Sequence, residues 1–349
     1  MKNPSPVLSI GIINWNTKDL LFKLLSQLRD DVSSLSREII VVDNASSDGS
    51  ADVVKEYFPE VVLIENKKNL GFTKACNQII RRMRGEFLLL LNTDLTIEKG
   101  GIDDLVEFIR EKEDVALCGP RLVYPDGRLQ ASVRSFHTLW TVFTEITGLS
   151  RLFPRNRAFG KYLLSYWDHS DIREVDFVSG AAYLMRASVL KEIGPFDEDY
   201  FLYVQDADWS YRVKKKGWKV FYCPDVTFVH MEGETVKKIS AIKDFLSHYE
   251  RLIFFRKHYG IGKAWLLYNM TIKFACLKFF VARLWDILRN KKRTRSMRWI
   301  FLYRKFGRAL LSRERIVTLP EIAEKSRHGG DVLGFLISYF TEENESNRN

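Results

Sequence analysis

At 349 residues and 46% hydrophobic, the chain is long enough to bury one large core or two. Its four cysteines, Cys76, Cys118, Cys223 and Cys276, are widely spaced, which argues against a zinc cluster or a disulfide scaffold and fits a reducing cytoplasm. The formal charge of +10 is uneven: Lys237 to Arg315 holds 21 Lys and Arg against 4 Asp and Glu, a local +17 that leaves −7 elsewhere, so that segment calls for an anionic partner.

Met1 to Pro6 leads into the first strand without the apolar run of a signal peptide. Val7 to Asn14 reads as a buried strand, with Thr17 as N-cap of a helix from Lys18 to Leu28. Glu38 to Asp43 is a second strand ending in a carboxylate, Asn44 to Ser50 a turn-rich loop, and a helix runs on to about Tyr57. Val61 to Glu65 is a third strand, and Asn69 to Phe72 a turn before the helix Thr73 to Met83. The apolar run Phe87 to Leu91 then suits a strand buried on both faces. Asn92 and Asp94 lie where it leaves the sheet, as oxygen donors suited to a hard cation carrying a phosphate-rich substrate, or as a plain Asx turn. This alternation predicts an α/β fold with a doubly wound, mostly parallel sheet, its polar clusters at the strand ends.

Gly101 to Glu113 reads as a helix, Val115 to Gly119 as a strand and Tyr124 to Gly127 as a turn. Thr138 to Ser170 loses periodicity and mixes aromatics with arginines, as a lid, an acceptor-facing insertion or a poorly ordered excursion. Val175 to Met185 returns to the core, with Gly180, Ala181 and Ala182 small enough for close approach of a ligand. Gly194 to Asp197 is a turn, and Phe201 to Arg212 leads into a helix carrying Asp206 and Asp208 in its first turn. Asp208, four residues before Arg212, suits a helix ion pair, which leaves Asp206 for chemistry. Trp218 to Tyr222 is a further strand, and the stretch from Val226 carries His230, a kind of position where histidine is more often structural. No GxGxxG follows the first strand and no GxxxxGK[ST] occurs, which argues against a dinucleotide dehydrogenase or a P-loop NTPase.

Ser240 to Tyr259 predicts a helix with Phe245, Leu246, Tyr249, Leu252, Ile253 and Phe255 on its apolar side. Trp265 to Leu288 is aromatic-rich, interrupted by Lys273, Lys278 and Arg283, and offers no run of the ~18 uncharged residues that a spanning helix needs. With the basic run Lys291 to Arg295 it suits a helix lying in the headgroups of an anionic leaflet, the alternative being a helical cap. Nucleic acid is disfavoured, because the aromatics follow apolar helical runs.

The stretches Ile13 to Thr17, Val41 to Ser50, Asn69 to Phe72 with Asn77, Leu90 to Asp94, Val178 to Ala182, Gly194 to Glu198 and Phe201 to Trp209 form an ordered set. That set resembles the family 2 inverting glycosyltransferases of the GT-A fold, and within them the bacterial rhamnosyltransferase-like branch that builds surface polysaccharides. The resemblance spans roughly Ser9 to Thr235. It implies that Asp43 accepts a hydrogen bond from the pyrimidine ring NH of the donor and that Trp15 packs on the base. Asn14, Asn69, Gly71, Asn77 and Thr93 would lie on the same donor side. Asn92 and Asp94 would hold a divalent metal, Mn2+ or Mg2+, joined by His230. Gly180, Ala181 and Trp209 would face the sugar or acceptor, and Asp206 would be the general base. Two residues depart from the family: Asn92 replaces the first acid of DxD, and Gln205 replaces the acid before the base, removing a like charge beside Asp206.

The implied activity moves a sugar, rhamnose among the candidates, from a dTDP- or UDP-linked donor to a hydroxyl of a lipid-linked or growing glycan. Its expected place is cytoplasmic and peripheral, on the inner face of the cell membrane. The expected domains are residues 1–236 for catalysis, 237–340 as a basic helical region, and 341–349 as a disordered tail. The competing reading is a non-catalytic nucleotide-sugar-binding scaffold of a membrane assembly, to which Asn92 and Gln205 lend some support.

Overall fold

The computed structural model describes residues 5–31, 33–231, 240–288 and 298–312; the basic run Lys291 to Arg295 and the 341–349 tail lie outside them. The chain forms two compact units. The first comprises Met1–Phe136, Leu163–Glu198 and Gln205–Lys238, the second His137–Tyr162, Asp199–Val204 and Ile239–Asn349.

In chain order the elements are β1 (Leu8–Asn14), α1 (Lys18–Asp30), β2 (Arg37–Asp43), α2 (Ser50–Tyr57), β3 (Val62–Glu65), α3 (Gly71–Arg82), β4 (Phe87–Asn92), β5 (Leu95–Thr96) and α4 (Gly101–Glu111). There follow β6 (Val115–Val123), β7 (Leu129–Gln130), β8 (Val133–Arg134), α5 (Leu139–Thr147), α6 (Leu149–Leu152), β9 (Arg173–Glu174), β10 (Phe177–Val178) and β11 (Ala182–Arg186). The last are α7 (Ala187–Ile193), α8 (Gln205–Lys215), β12 (Lys219–His230), α9 (Ser240–Tyr259), α10 (Ile261–Leu288) and α11 (Arg298–Ser312).

The main sheet of the first unit runs β3-β2-β1-β4-β11-β6-β12-β5. Strands β3, β2, β1 and β4 are mutually parallel, β11 runs against β4 and β6, and β12 is parallel to β6. Phe87 to Leu91 are at most 3% exposed, as expected of a doubly covered strand. Strand alternation sends Phe87, Leu89 and Leu91 into the core under α1 and α4, and Leu88 and Leu90 into the core under α3, α7 and α8. The sheet grows from β1 in both directions, first to β2 and then to β4. That order makes a switch point at the carboxyl ends of β1 and β4, where open α/β sheets place ligands. Parallel register aligns Asn14 with Asp43 and Ile13 with Asn92, so the polar strand ends share one edge.

Two local expectations are corrected. Thr17 precedes α1 but makes no side-chain cap; Asp48 Oδ2 accepts the Lys18 N–H at 2.9 Å instead. Trp218 to Tyr222 and the stretch from Val226 belong to one strand, β12, whose register against β6 shifts between Cys223 and Thr227. Pro224 lies at that irregularity, where its missing N–H can be tolerated.

In the second unit the apparently irregular stretch after His137 begins with helix α5. Thr138 closes a capping box with Thr141, its Oγ1 accepting the Thr141 N–H at 3.1 Å while its own N–H donates to Thr141 Oγ1 at 2.8 Å. Gly148, at φ 85°, ends α5 after nine residues, too few for a periodic signal. The following turns are fastened by Trp140 Nε1–H to the Ala158 carbonyl at 2.8 Å, with Phe159 against both Trp140 and Phe153. The expected apolar side of α9 is fully buried, and rings join α9 to α11 (Phe245–Phe306) and α10 to α11 (Tyr268–Tyr303).

Glu250 on α9 is buried and accepts the N–H groups of Phe201, Leu202 and Tyr203 at 2.9, 3.1 and 2.8 Å. Burial pushes its carboxyl up to about 7, against the downward pull of these bonds. Glu250→Ala orphans one buried and two part-buried donors and is expected to cost roughly 3 kcal/mol. Urea unfolding checks this, and a loss under about 1 kcal/mol would mean that water takes over the donors.

Candidate active site

At the end of β1, Asn14 Nδ2 donates to Asp43 Oδ1 at 2.8 Å and to Ser46 Oγ at 3.0 Å. Asp43 Oδ2 accepts the Ser46 N–H at 2.9 Å, three residues on in the loop after β2. The buried Asp43 carboxylate is thus held through both oxygens, each keeping a lone pair for a further donor. Thr17 Oγ1 donates to Asn14 Oδ1 at 2.7 Å and lies 2.9 Å from Thr93 Oγ1, which ties this corner to the turn after β4. Trp15, half-buried, stands between Asn14 and Asn16.

In that turn, Asp94 is buried with Oδ1 3.1 Å from His230 Nε2. The residues are 136 apart in sequence, and the pairing of β5 with β12, His230 opposite Leu95, brings them together. Gln130 Oε1 lies 2.8 Å from His230 Nδ1. The imidazole thus bridges Gln130 and Asp94 through its two ring nitrogens. Imidazole nitrogen and carboxylate oxygen are also the ligand types that would hold a divalent cation. Among the described residues no three His, Cys, Asp or Glu side chains converge, so a diphosphate would have to complete the coordination. Half-buried Asn92, at the end of β4, donates its backbone N–H to the Ala181 carbonyl at 2.9 Å.

Asp206 sits in the first turn of α8, 7% exposed. Its Oδ2 accepts the Gly180 N–H at 3.0 Å and its Oδ1 the Ala207 N–H at 2.8 Å. Through Gly180 and Ala181 it is linked to the end of β4, so the carboxylate belongs to the same sheet edge as Asp43 and Asp94. Burial pushes it up to about 6, tempered by those N–H bonds and the Arg134 guanidinium. Gln205 Oε1, one residue earlier, is buried without a hydrogen-bond partner among the described residues. Asp208 pairs with Arg212 at 2.9 Å, as its spacing requires.

Other expected site residues act as struts. Asn69 Oδ1 accepts the Gly71 N–H at 2.9 Å and an Asn44 amide hydrogen at 3.0 Å, and Gly71 starts α3 at φ 83°, where a side chain would be strained. Asn77 is buried with its amide committed to Phe196 N–H, Phe196 C=O and Glu198, which holds the 196–198 turn. Trp209 is fully buried, its Nε1–H on the Gly194 carbonyl at 3.0 Å, so it supports the turn and presents nothing outward. Gln130, Ser46 and Thr17 were not anticipated as parts of the site, because nothing local marks a side chain whose partner lies on another strand.

Residues 9–194 match the family model of glycosyl transferase family 2. The chain belongs to that family. This glycosyltransferase is 27% identical over 267 residues to the N-acetylglucosaminyl-diphospho-decaprenol L-rhamnosyltransferase of Mycobacterium tuberculosis, over 73% of this chain and 86% of that one. It is 26% identical over 227 residues to the low-salt glycan biosynthesis hexosyltransferase Agl10 of Haloferax volcanii, over 64% of this chain and 66% of that one. Among solved structures, the mannosyltransferase PcManGT of Pyrobaculum calidifontis, in complex with GDP-Man and Mn2+, superposes at TM-score 0.52 with 15% identity, over 96% of this chain and 87% of that one. The glycosyltransferase has the GT-A fold and a rhamnosyltransferase relative. As an enzyme of nucleotide-sugar transfer it is not the scaffold that its sequence left open.

Proposed function

We propose that the enzyme moves a sugar, L-rhamnose by analogy with the name of the Mycobacterium relative, from a dTDP- or UDP-linked donor to a hydroxyl of a lipid-linked or growing glycan, with inversion. The observation that carries this is the buried Asp206 carboxyl on the same sheet edge as Asp43 and Asp94. Asp43 accepts the pyrimidine ring NH, Trp15 lies against the base, and Asn14, Ser46 and Thr93 keep that corner in shape. Asp206 accepts the proton of the attacking hydroxyl, which approaches opposite the leaving group beside Gly180 and Ala181. Asp94 and His230, with Asn92 as a weaker neutral donor, would hold Mn2+ or Mg2+, which when bound offsets charge developing on the departing diphosphate.

A thermal-shift panel of nucleotide sugars with and without Mn2+ or Mg2+ tests the donor side. A donor at 100 times its Kd stabilises the fold by about 2.7 kcal/mol. That shift should need the cation and vanish in Asp94→Ala and His230→Ala. An undiminished shift in chelator would remove the metal assignment, and no shift with any pyrimidine nucleotide sugar would remove the donor assignment.

For the acceptor side, the enzyme sits on the cytoplasmic face of the membrane, with α10 against an anionic leaflet. One helix among the described residues, Ile261–Val281, is long and apolar enough to cross a membrane by length and composition, with only 22% of it buried. Lys263, Lys273 and Lys278 along it favour lying on the surface over crossing. Co-sedimentation of the full chain with anionic vesicles should fall as salt rises.

A further inference from the structure

Helix α10 has two unlike faces. Ala264, Leu267, Tyr268 and Thr271, at i, i+3, i+4 and i+7, are buried within the second unit. Further on, Leu277, Phe280, Val281 and Leu284 repeat that spacing but are 54, 66, 55 and 47% exposed. A second exposed apolar group belongs to the same unit: Leu152, the last residue of the short α6, and Phe153 after it, at 69 and 47%. Every residue from Arg151 to Ala158 is exposed, yet the stretch is a built one, fastened by Trp140, Phe153 and Phe159. The two groups are neighbours. Phe143 of α5 meets Phe274 of α10 edge-on at 5.6 Å. Lys278 is held below its ordinary range by burial and by the nearby Arg151 guanidinium.

The charges around these residues are mostly of one sign. From His137 to Tyr162 they are Arg151, Arg155, Arg157, Lys161 and Glu145, and Glu145 pairs with Arg251 at 3.0 Å. From Ile261 to Leu288 they are Lys263, Lys273, Lys278 and Arg283, against the single acid Asp286. Apolar side chains rimmed by cations match the headgroup layer of an anionic bilayer, with rings and aliphatics at the acyl boundary and cations on phosphates. A second copy of this chain would instead set like charges against like.

We propose that Arg151, Leu152, Phe153 and Arg155 form, together with the Leu277-to-Leu284 stripe of α10, one surface that docks on an anionic lipid bilayer. This rests on the membrane reading of α10 and adds a second lipid-binding element from a segment 124 residues earlier, as the separation of Phe153 from Leu277 measures. Arg151 and Lys278 converge there on headgroup phosphate.

The test is flotation of the full chain with phosphatidylglycerol–phosphatidylcholine vesicles and with phosphatidylcholine alone. Wild type should float with the first and not the second. R151Q/R155Q should weaken partitioning by about 25-fold, about fivefold per cation, and L152S/F153S should weaken it as well. Melting temperature and donor-nucleotide affinity serve as fold controls. If L277S/F280S loses binding while both Arg151-region variants bind as wild type, this inference fails and the α10 reading stands. If wild type floats with neither vesicle, both fail. Equal flotation with both removes the phosphate role, and dimerisation in lipid-free buffer that L152S/F153S abolishes would assign the surface to a second copy.

Discussion

Asp206→Asn is expected to lower turnover at saturating donor and acceptor by about 10²–10⁴-fold, the usual contribution of a general base. The amide keeps the shape and one acceptor oxygen but takes no proton at neutral pH. Because burial raises the carboxyl from 3.8 to about 6, kcat/KM of the wild type should fall roughly tenfold per pH unit below about 6 and level off above it. The mutant should lack that limb. Stability moves the other way. A carboxyl raised on folding contributes stability that is fully present below about 3.8 and lost as pH rises through about 6. At pH 8 the ionised buried group is therefore a liability on the order of 1–3 kcal/mol. The amide removes it but leaves one of the Gly180 and Ala207 donors unmet, so melting at pH 8 should match or slightly exceed wild type. Asp208→Asn should show the opposite bias, costing about 1–3 kcal/mol by breaking a partly buried pair with Arg212, with little change in turnover. Near-normal turnover in Asp206→Asn beside a dead Asp208→Asn would mean that the base is the other carboxylate.

Asp43→Asn should weaken pyrimidine nucleotide binding by roughly ten- to a hundredfold, since a charge-assisted bond to a ring NH is worth about 1.5–3 kcal/mol. The structure adds a second cost. Both Asp43 oxygens already accept, from Asn14 and from the Ser46 N–H, and an amide must turn its NH2 toward one of those donors. Asn14→Ala separates the two effects, because it loosens the corner while keeping the carboxylate. Calorimetry should show a much smaller loss for Asn14→Ala than for Asp43→Asn. Unchanged affinity in a folded Asp43→Asn protein would remove Asp43 from the donor site.

Much of the first unit was legible before folding, for local reasons. Phe87 to Leu91 announce a doubly covered strand by composition alone, and strand–helix alternation then implies a parallel sheet with its polar ends on one edge. The Asp208–Arg212 pair is a matter of helix pitch, and the apolar side of α9 follows from spacing. Local signals were also where the reading went astray. Thr17 looks like a cap, yet its hydroxyl faces Asn14 and Thr93, and the cap on the Lys18 N–H comes from Asp48, 30 residues beyond Lys18. The α5 region looked irregular because its order comes from Trp140 reaching Ala158 and Glu145 reaching Arg251.

What the sequence determined by itself was which residues carry usable chemistry and the rhythm of elements that puts them at strand ends, since both depend on neighbours a few positions apart. Only the tertiary structure decided which of them meet. Strand pairing across 136 residues sets His230 against Asp94. Burial in the core gives Asp206 its raised pKa, against the downward pull of the Gly180 N–H. Packing turns Asn77 and Trp209 inward as struts. Contact over long sequence separations depends on how the sheet orders its strands, and no local spacing encodes that order.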